Sequence, residues 1–133
     1  MSQLPPAVAT MMADDRASGA LGIRVLSAGD GQAKAAITVR DDMVNGHDIA
    51  HGGIVFCLAD TAFACACNSY GPATVAASAE ITFVAPAHLG DELIAEAVVR
   101  TRFGRNGLYD VTVRRGEQVI AEFRGRSHTL AVR

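Results

Sequence analysis

The sequence predicts an α+β protein in which an antiparallel sheet wraps around one long central helix. Residues 53–68 are apolar on every side of a helix, so this helix should be enclosed by other elements. Two strand-like segments precede it and four follow, most of them alternating apolar and polar residues. An antiparallel sheet around the helix is the simplest way to bury it.

The segment before the first strand is expected to be a short helix. Residues 5–17 begin with proline, which suits a first helical turn. The N-terminus has neither a basic segment nor a long apolar run, and no apolar stretch is long enough to span a bilayer. We therefore expect a cytoplasmic protein without a membrane partner. Its 133 residues predict a single domain over 1–133.

The strands are predicted from turn residues and alternation. Asp30-Gly31 is a strong signal for a two-residue hairpin turn. The central helix should end at Gly71-Pro72. The predicted strands are residues 22–28, 32–40, 74–84, 91–103, 108–114 and 118–132, the last of them bent near Gly125. A single curved sheet covers only one side of a helix, so the remaining apolar surface and the sheet edges predict a dimer.

Charge and the cysteine and histidine residues argue against several kinds of partner and site. The net charge is −2, and the arginines that follow residue 99 lack lysine runs or interleaved aromatics, so no nucleic-acid partner is expected. These arginines either form a solvated sheet face or hold the phosphates of a nucleotide carrier. Cys57, Cys65 and Cys67 are interpreted as small apolar packing residues. His47 and His51 lack a third ligand, so no metal is expected.

Asp60 is the anomaly of the sequence. It is the only charged residue between His51 and Glu80, and it lies inside the apolar helix. Burial of a carboxylate is costly and raises its pKa, which suits a general base at neutral pH. The alternative is a structural aspartate that bonds to Thr61 or to a loop.

A second candidate group is the start of the helix, His51-Gly52-Gly53. Unsatisfied N–H groups of the first turn and the helix dipole suit a developing oxyanion, although a Gly-Gly turn is also common without function. Gly52 and Asp60 are separated by about 12 Å along a helix, whereas a base acts within about 3 Å of its target. If both act on one substrate, they come from two subunits, which predicts active sites at a dimer interface.

The run from Asn45 to Asn68, NGHDIAHGGIVFCLADTAFACACN, resembles the signature of the phenylacetate-pathway (PaaI-type) branch of the hot-dog-fold acyl-CoA thioesterases. The resemblance continues through Ser78, the strand end at residues 83–87 and Gly104-Arg105-Asn106. It covers the chain from Leu21 onward. It implies the hot-dog fold and a dimer that forms a continuous sheet, with a dimer of dimers as the usual assembly.

The resemblance also implies roles for matching residues. The Asp60 carboxylate would activate water or attack the thioester directly, and the Gly52 N–H would polarise the thioester carbonyl. His51 would support the oxyanion loop, Asn45 would orient the water or the acyl group, and Ser78 would bond near the water. The coenzyme A (CoA) part of the substrate would contact Arg102, Arg105, Asn106, Gly53 and Thr61. No metal and no cofactor beyond this CoA would be needed.

The predicted function is hydrolysis of an acyl-CoA, with a (hydroxy)phenylacetyl or a medium acyl group. Phe56, Leu58, Phe63 and Ala64 are expected to line an apolar acyl pocket. Two alternatives stay open on the same fold: an enoyl-CoA hydratase or dehydratase, and a non-catalytic acyl-CoA-binding domain. Asn45 and Ser78 also have structural interpretations, in a turn and in strand packing.

Overall fold

Six antiparallel strands cover one side of a long helix in the computed structural model, which describes residues 4–131. The helices are α1 (Pro6–Asp14), α2 (Arg16–Leu21) and α3 (Gly52–Asn68). The strands are β1 (Arg24–Gly29), β2 (Gln32–Thr38), β3 (Thr74–Phe83), β4 (Glu92–Phe103), β5 (Asn106–Arg115) and β6 (Gln118–Thr129). The predicted fold class is confirmed, as is the order of two strands, a long helix and four strands. Within the described residues, no helix is long and apolar enough to cross a membrane.

The strands follow the order β1-β2-β4-β5-β6-β3 in one sheet, with antiparallel pairing throughout. Strand β3 therefore lies at an edge, beside β6 only. The predicted strands agree with the structure to within about two residues, except that β6 ends at Thr129. Val132, the predicted end of that strand, lies outside the described residues.

The β1–β2 hairpin confirms the turn predicted from Asp30-Gly31. Both residues have positive φ angles, 52° and 77°. Two-residue hairpin turns of type I′ require this conformation at both central positions, and glycine and aspartate adopt it readily. A Cβ atom at Gly31 would also overlap the Tyr70 hydroxyl group. The turn thus packs closely against the end of α3.

The prediction of one N-terminal helix over residues 5–17 is wrong, because two helices meet at Asp15. Asp15 has φ −82° and ψ 90°, which is not helical, and its side chain accepts a hydrogen bond from the Ser18 N–H at 2.9 Å. A carboxylate that caps a helix in this way competes with continuation of the preceding helix. Asp15 therefore ends α1 and starts α2.

Most of α3 is buried against the sheet, but one stripe of the helix is left uncovered. The stripe consists of Gly53, Cys57, Asp60 and Ala64, spaced at helical intervals, and each of them is exposed or half-buried. One sheet covers only one side of the helix, as expected from the sequence, and this face is the remaining surface from which a dimer is predicted. Cys65 and Cys67 are buried as predicted, whereas Cys57 is exposed.

Gly125 of β6 makes room for the Phe63 ring beneath the sheet. A Cβ atom at Gly125 would lie 2.8 Å from the Phe63 ring. That ring is 1% exposed and packs edge-on against Tyr109, with centroids 5.5 Å apart. Phe63 is therefore a core residue rather than the wall of an acyl pocket, and the sequence-based expectation for it is wrong.

We expect Gly125→Ala to destabilise the fold by about 1–3 kcal/mol, because the added methyl group displaces a ring that has no free space around it. Denaturant unfolding measures this change. Gly29→Ala is the matched control, since a Cβ there meets nothing within 4 Å. Equal unfolding midpoints for the two variants would contradict the close packing described for Phe63.

Candidate active site

The loop before α3 is shaped by Asn45. The Asn45 Oδ1 atom accepts hydrogen bonds from the His47 N–H at 2.8 Å and from the Ile49 N–H at 3.4 Å. The Asn45 N–H in turn donates to the Ile49 carbonyl at 2.8 Å. The side-chain oxygen of Asn45 is thus engaged in holding the loop, and its amide nitrogen is the part left to face a substrate.

His51 and Gly53 share a hydrogen bond that organises the first turn of α3. The His51 Nδ1 atom accepts from the Gly53 N–H at 3.0 Å, so His51 caps the helix. The neutral ring then carries its proton on Nε2. Within residues 4–131, the Gly52 N–H has no hydrogen-bond partner. Of the first two N–H groups of α3, that of Gly52 is therefore the one available to a carbonyl oxygen, and its role in polarising the thioester stays a prediction.

An apolar cavity of about 460 Å³ opens beside Gly52. The Phe83 ring forms part of its wall, and a Cβ atom at Gly52 would lie 2.9 Å from that ring. The cavity is lined by Asn45, Ile49, Ala50, Gly52, Val55, Phe83, Val84, Ala85, Pro86, Ala87 and Ile120. Sequence reasoning did not assign Phe83 to a pocket, although Phe83-Val84-Ala85-Pro86 belongs to the run that carries the family resemblance.

Asp60 lies half-buried on the uncovered stripe of α3. Within residues 4–131, its carboxylate makes no hydrogen bond and no ion pair, which differs from the structural alternative of a bond to Thr61 or to a loop. Burial, with a smaller contribution from the Asp15 charge, raises the pKa of Asp60 above the ordinary value of 3.8. An unpaired carboxylate with a raised pKa is suited to accept a proton.

Thr61 points away from this stripe and into the protein. It is 7% exposed, and its hydroxyl group lies 2.8 Å from the hydroxyl of Ser18 in α2. In this protomer the Thr61 side chain holds two helices together. The contact of Thr61 with CoA, which the family resemblance implies, stays a prediction.

Ser78 lies on the exposed edge strand β3. The pairing of β3 with β6 shifts register between Ala76 and Ser78, which marks a β-bulge. Ser78 and its register partner Arg126 both line a cavity of about 240 Å³ on the sheet. This position is separate from the cavity beside Gly52, since the two share no lining residue.

The predicted CoA residues Arg102, Arg105 and Asn106 gather at the β4–β5 turn, beside the C-terminal end of α3. They line a cavity of about 140 Å³ with Cys67 and Tyr70. The Arg102 guanidinium stacks 3.6 Å above the Tyr70 ring. Sequence reasoning missed Tyr70, and the only signal for it was its place directly after the helix.

Arg102 and Arg105 are exposed, and neither forms an ion pair within the described residues. Arg126 is close by, with its Nη1 atom 3.4 Å from the Asn106 Oδ1 atom. Most other arginines of the sheet are paired, as Arg124 is with Asp110 at 2.6 Å. The unpaired positive charges of the sheet therefore concentrate at the β4–β5 turn, where they favour an anion such as a phosphate.

The predicted site residues thus fall into separate groups within one protomer. Gly52 and the loop before it lie at one end of α3, Asp60 at its middle and Arg102 at its other end. A larger cavity of about 520 Å³ lies elsewhere, lined only by strand residues, and contains no predicted site residue. Most of its charged side chains are ion-paired, as Arg100 is with Asp110 at 3.1 Å, so it offers little to an apolar acyl group.

Comparison with known proteins identifies similar chains. A family model described as the thioesterase superfamily matches residues 47–122. The acyl-coenzyme A thioesterase PaaI of Escherichia coli K12 is 45% identical over 121 residues, which is 90% of this chain and 86% of that protein.

Solved structures agree with this result. The structure of the E. coli PaaI protein from the phenylacetic acid degradation operon superposes with a TM-score of 0.91 at 42% identity, over 94% of this chain and 91% of that one. The TT0310 protein of Thermus thermophilus gives a TM-score of 0.84 at 38% identity, over 87% and 98% of the two chains. The resemblance noted in the run from Asn45 to Asn68 is therefore confirmed for the whole fold.

Proposed function

The chain belongs to the thioesterase superfamily and is an acyl-CoA thioesterase, and we propose that Asp60 of one protomer and the Gly52 N–H of another act on the same thioester. The observation that carries this proposal is the unpaired, half-buried carboxylate of Asp60 on a helix face that the protein's own sheet leaves uncovered. A protein gains nothing in stability from such a group, so a functional reason for it is favoured.

In the proposed reaction, the ionised Asp60 carboxylate removes a proton from water as the water oxygen attacks the thioester carbonyl carbon, or it attacks that carbon itself. The carbonyl oxygen becomes an oxyanion, which the Gly52 N–H and the positive end of the α3 dipole stabilise. Collapse of this intermediate breaks the C–S bond and expels CoA as a thiolate, which takes up the proton held by Asp60 or one from solvent. Where Asp60 itself attacks, the product is an acyl–Asp60 anhydride, and water then attacks this anhydride to release the free acid and regenerate the carboxylate. A thiolate is a good leaving group and needs little acid assistance. No metal is required.

The cavity beside Gly52 is proposed to hold the acyl group. It is lined mostly by apolar residues and has a volume of about 460 Å³. A closed apolar cavity of about 150 Å³ accommodates benzene, so there is room for an arylacetyl or a medium acyl group. Asn45 at its rim would orient the acyl group or the water through its amide. The PaaI protein of E. coli comes from a phenylacetic acid degradation operon, which makes phenylacetyl-CoA and its hydroxylated forms the first substrates to test.

The phosphates of CoA are proposed to lie at the β4–β5 turn. Arg102 and Arg105 carry unpaired charge there, and Asn106 and Arg126 add polar contacts. The turn lies beside the C-terminal end of α3, far from Gly52 of the same protomer. CoA is a long molecule, so this arrangement suits a substrate that extends along the interface between two helices.

The active assembly is proposed to be a homodimer, or a tetramer built from such dimers, with two sites at each helix interface. Along α3, Gly52 and Asp60 are about 12 Å apart, which exceeds the reach of a base. An antiparallel partner helix laid on the stripe of Gly53, Cys57, Asp60 and Ala64 brings the opening turn of one helix to Asp60 of the other. The exposed edge strand β3 is the surface on which two sheets would join into one.

A thiol-release assay against a panel of aryl, short-chain and long-chain acyl-CoAs tests this function. We expect release of free CoA, fastest with arylacetyl or medium acyl groups, and a sedimentation coefficient of a dimer or larger assembly. Tight binding of acyl-CoA without thiol release would favour a non-catalytic binding domain. Loss of enoyl-CoA absorbance without thiol release would favour a hydratase. A fully active monomer would contradict the composite site.

A further inference from the structure

A chain of hydrogen bonds connects Asp15 with the central helix. The Ser18 hydroxyl donates to the Asp15 Oδ2 atom at 2.7 Å and lies 2.8 Å from the Thr61 hydroxyl. Ser18 is 4% exposed and Thr61 is 7% exposed. Buried hydroxyl groups are costly unless they are bonded, so this pair fixes where α2 lies on α3. Asp15 completes the chain and caps α2 at the same time.

This contact lies at the turn of α3 that carries Asp60, since Thr61 is the next residue. Among residues 4–131, the charged and titratable groups that interact with the Asp60 carboxylate are Cys57 and Cys67 of α3 and Asp15, which precedes α2. Burial raises the pKa of Cys65 to about 12, and the Asp15 charge adds to this effect. The charge of Asp15 therefore reaches more than one side chain of α3.

We propose that Asp15 is a positioning residue of the active site, which fixes the turn bearing Asp60 through Ser18 and Thr61 and places a second negative charge within reach of the Asp60 carboxylate. This inference rests on the proposed role of Asp60. It also connects the break between α1 and α2 with the active site, because the carboxylate of Asp15 at this break is the group that accepts the hydrogen bond from the Ser18 hydroxyl. It also explains why a buried pair of hydroxyl groups lies among otherwise apolar contacts.

Asp15→Asn tests the effect of the charge. Asparagine is an equally good helix cap, and its amide can donate to the Ser18 hydroxyl, so the hydrogen bonds persist. Removal of the negative charge makes ionisation of Asp60 easier. We expect the acid limb of the kcat/KM profile to move to lower pH, with the plateau at higher pH unchanged. Asp14→Asn is the matched control, because it removes the same charge one residue away on an exposed side chain and should leave the limb in place.

Thr61 variants test the hydrogen-bonded chain. Thr61→Val keeps the shape of the side chain but removes the bond to Ser18, and we expect kcat to fall about tenfold with KM little changed, because Asp60 is less well placed. Thr61→Ser should restore most of kcat, since it restores the hydroxyl. A rise in KM with kcat unchanged would overturn the positioning role in favour of direct substrate contact.

The outcomes separate this inference from the proposed function. If Asp15→Asn has the wild-type pH profile while Asp60→Asn is inactive, the electrostatic role of Asp15 is refuted and the role of Asp60 stands. If Asp60→Asn retains wild-type turnover, both are refuted. A shifted acid limb in Asp15→Asn but not in Asp14→Asn supports the inference.

Discussion

Asp60→Asn is expected to lower kcat for acyl-CoA hydrolysis by about 10²- to 10⁴-fold, the usual range for loss of a general base. Asparagine has nearly the same shape as aspartate but can neither accept the proton of water nor attack a carbonyl. Binding of the substrate should change little, because the carboxylate acts mainly in the transition state. Thiol release at saturating substrate measures kcat, and calorimetric titration with CoA measures binding.

Asp48→Asn is the control for this substitution. Asp48 is an exposed residue of the loop before α3 with a φ angle of 65°, and asparagine also tolerates this left-handed conformation. The control removes one negative charge without altering the backbone, so we expect wild-type turnover. Equal turnover in Asp60→Asn and Asp48→Asn would end the assignment of Asp60 as the catalytic carboxylate.

Asp60→Asn should also change the stability of the fold, in a direction that the pKa of Asp60 determines. The pKa of Asp60 is raised in the folded protein, chiefly by burial, so its neutral form is the one the fold favours. The folded state thus loses stability as pH rises through the folded-state pKa, where the carboxyl group ionises without a partner. Asp60→Asn should therefore raise the melting temperature at neutral pH, and this gain should vanish below the ordinary value of 3.8. If Asp60→Asn were instead less stable than the wild type at neutral pH, Asp60 would be a structural residue.

Some features of the fold and of the site were predictable because short stretches of the sequence determine them. Asp60 is the only charge in a long apolar run, and burial of that run makes the carboxylate unusual whatever the fold. Asp30-Gly31 fixed the first hairpin, since positive φ at two successive residues is rare outside glycine, asparagine and aspartate. The position of Gly52 at the start of α3 followed from the Gly52-Gly53 pair that leads into the apolar run. The structure adds that the Gly52 N–H is the one left available.

Other features depend on contacts between distant residues and were not predictable. The helix break at Asp15 arises from a cap on Ser18, and the reason for it, the bond from Ser18 to Thr61, spans 43 positions of sequence. Phe63 was expected in an acyl pocket as an apolar residue of the central helix, but Gly125 makes room for its ring beneath the sheet. Residue type and helical spacing do not reveal which face of an apolar helix the sheet covers.

Gly52→Pro is expected to lower kcat by about 10²- to 10³-fold, because proline removes the N–H that would stabilise the oxyanion. Gly52 is the first residue of α3, where proline is well tolerated. His51 has φ −60° and ψ 134°, a conformation that suits a residue before proline. The helix should therefore form normally, and circular dichroism would verify this.

Gly52→Ala is the matched control for the side-chain atoms. Its Cβ meets the Phe83 ring at 2.9 Å just as that of proline does, but alanine keeps the N–H. Phe83 is 54% exposed, so its ring has room to move away. We expect Gly52→Ala to lose much less activity than Gly52→Pro. Equal losses would assign the effect to the displaced ring and would remove the Gly52 N–H from the mechanism.

Mixing the two inactive proteins tests whether the site is shared between protomers. In a heterodimer of Asp60→Asn and Gly52→Pro chains, one site combines the native Asp60 of one chain with the native Gly52 of the other. The second site carries both substitutions. An equal mixture that exchanges subunits freely should regain about a quarter of wild-type activity, since about half of the dimers are mixed and each has one intact site. If both groups act within one protomer, every site in the mixture stays defective and no activity returns.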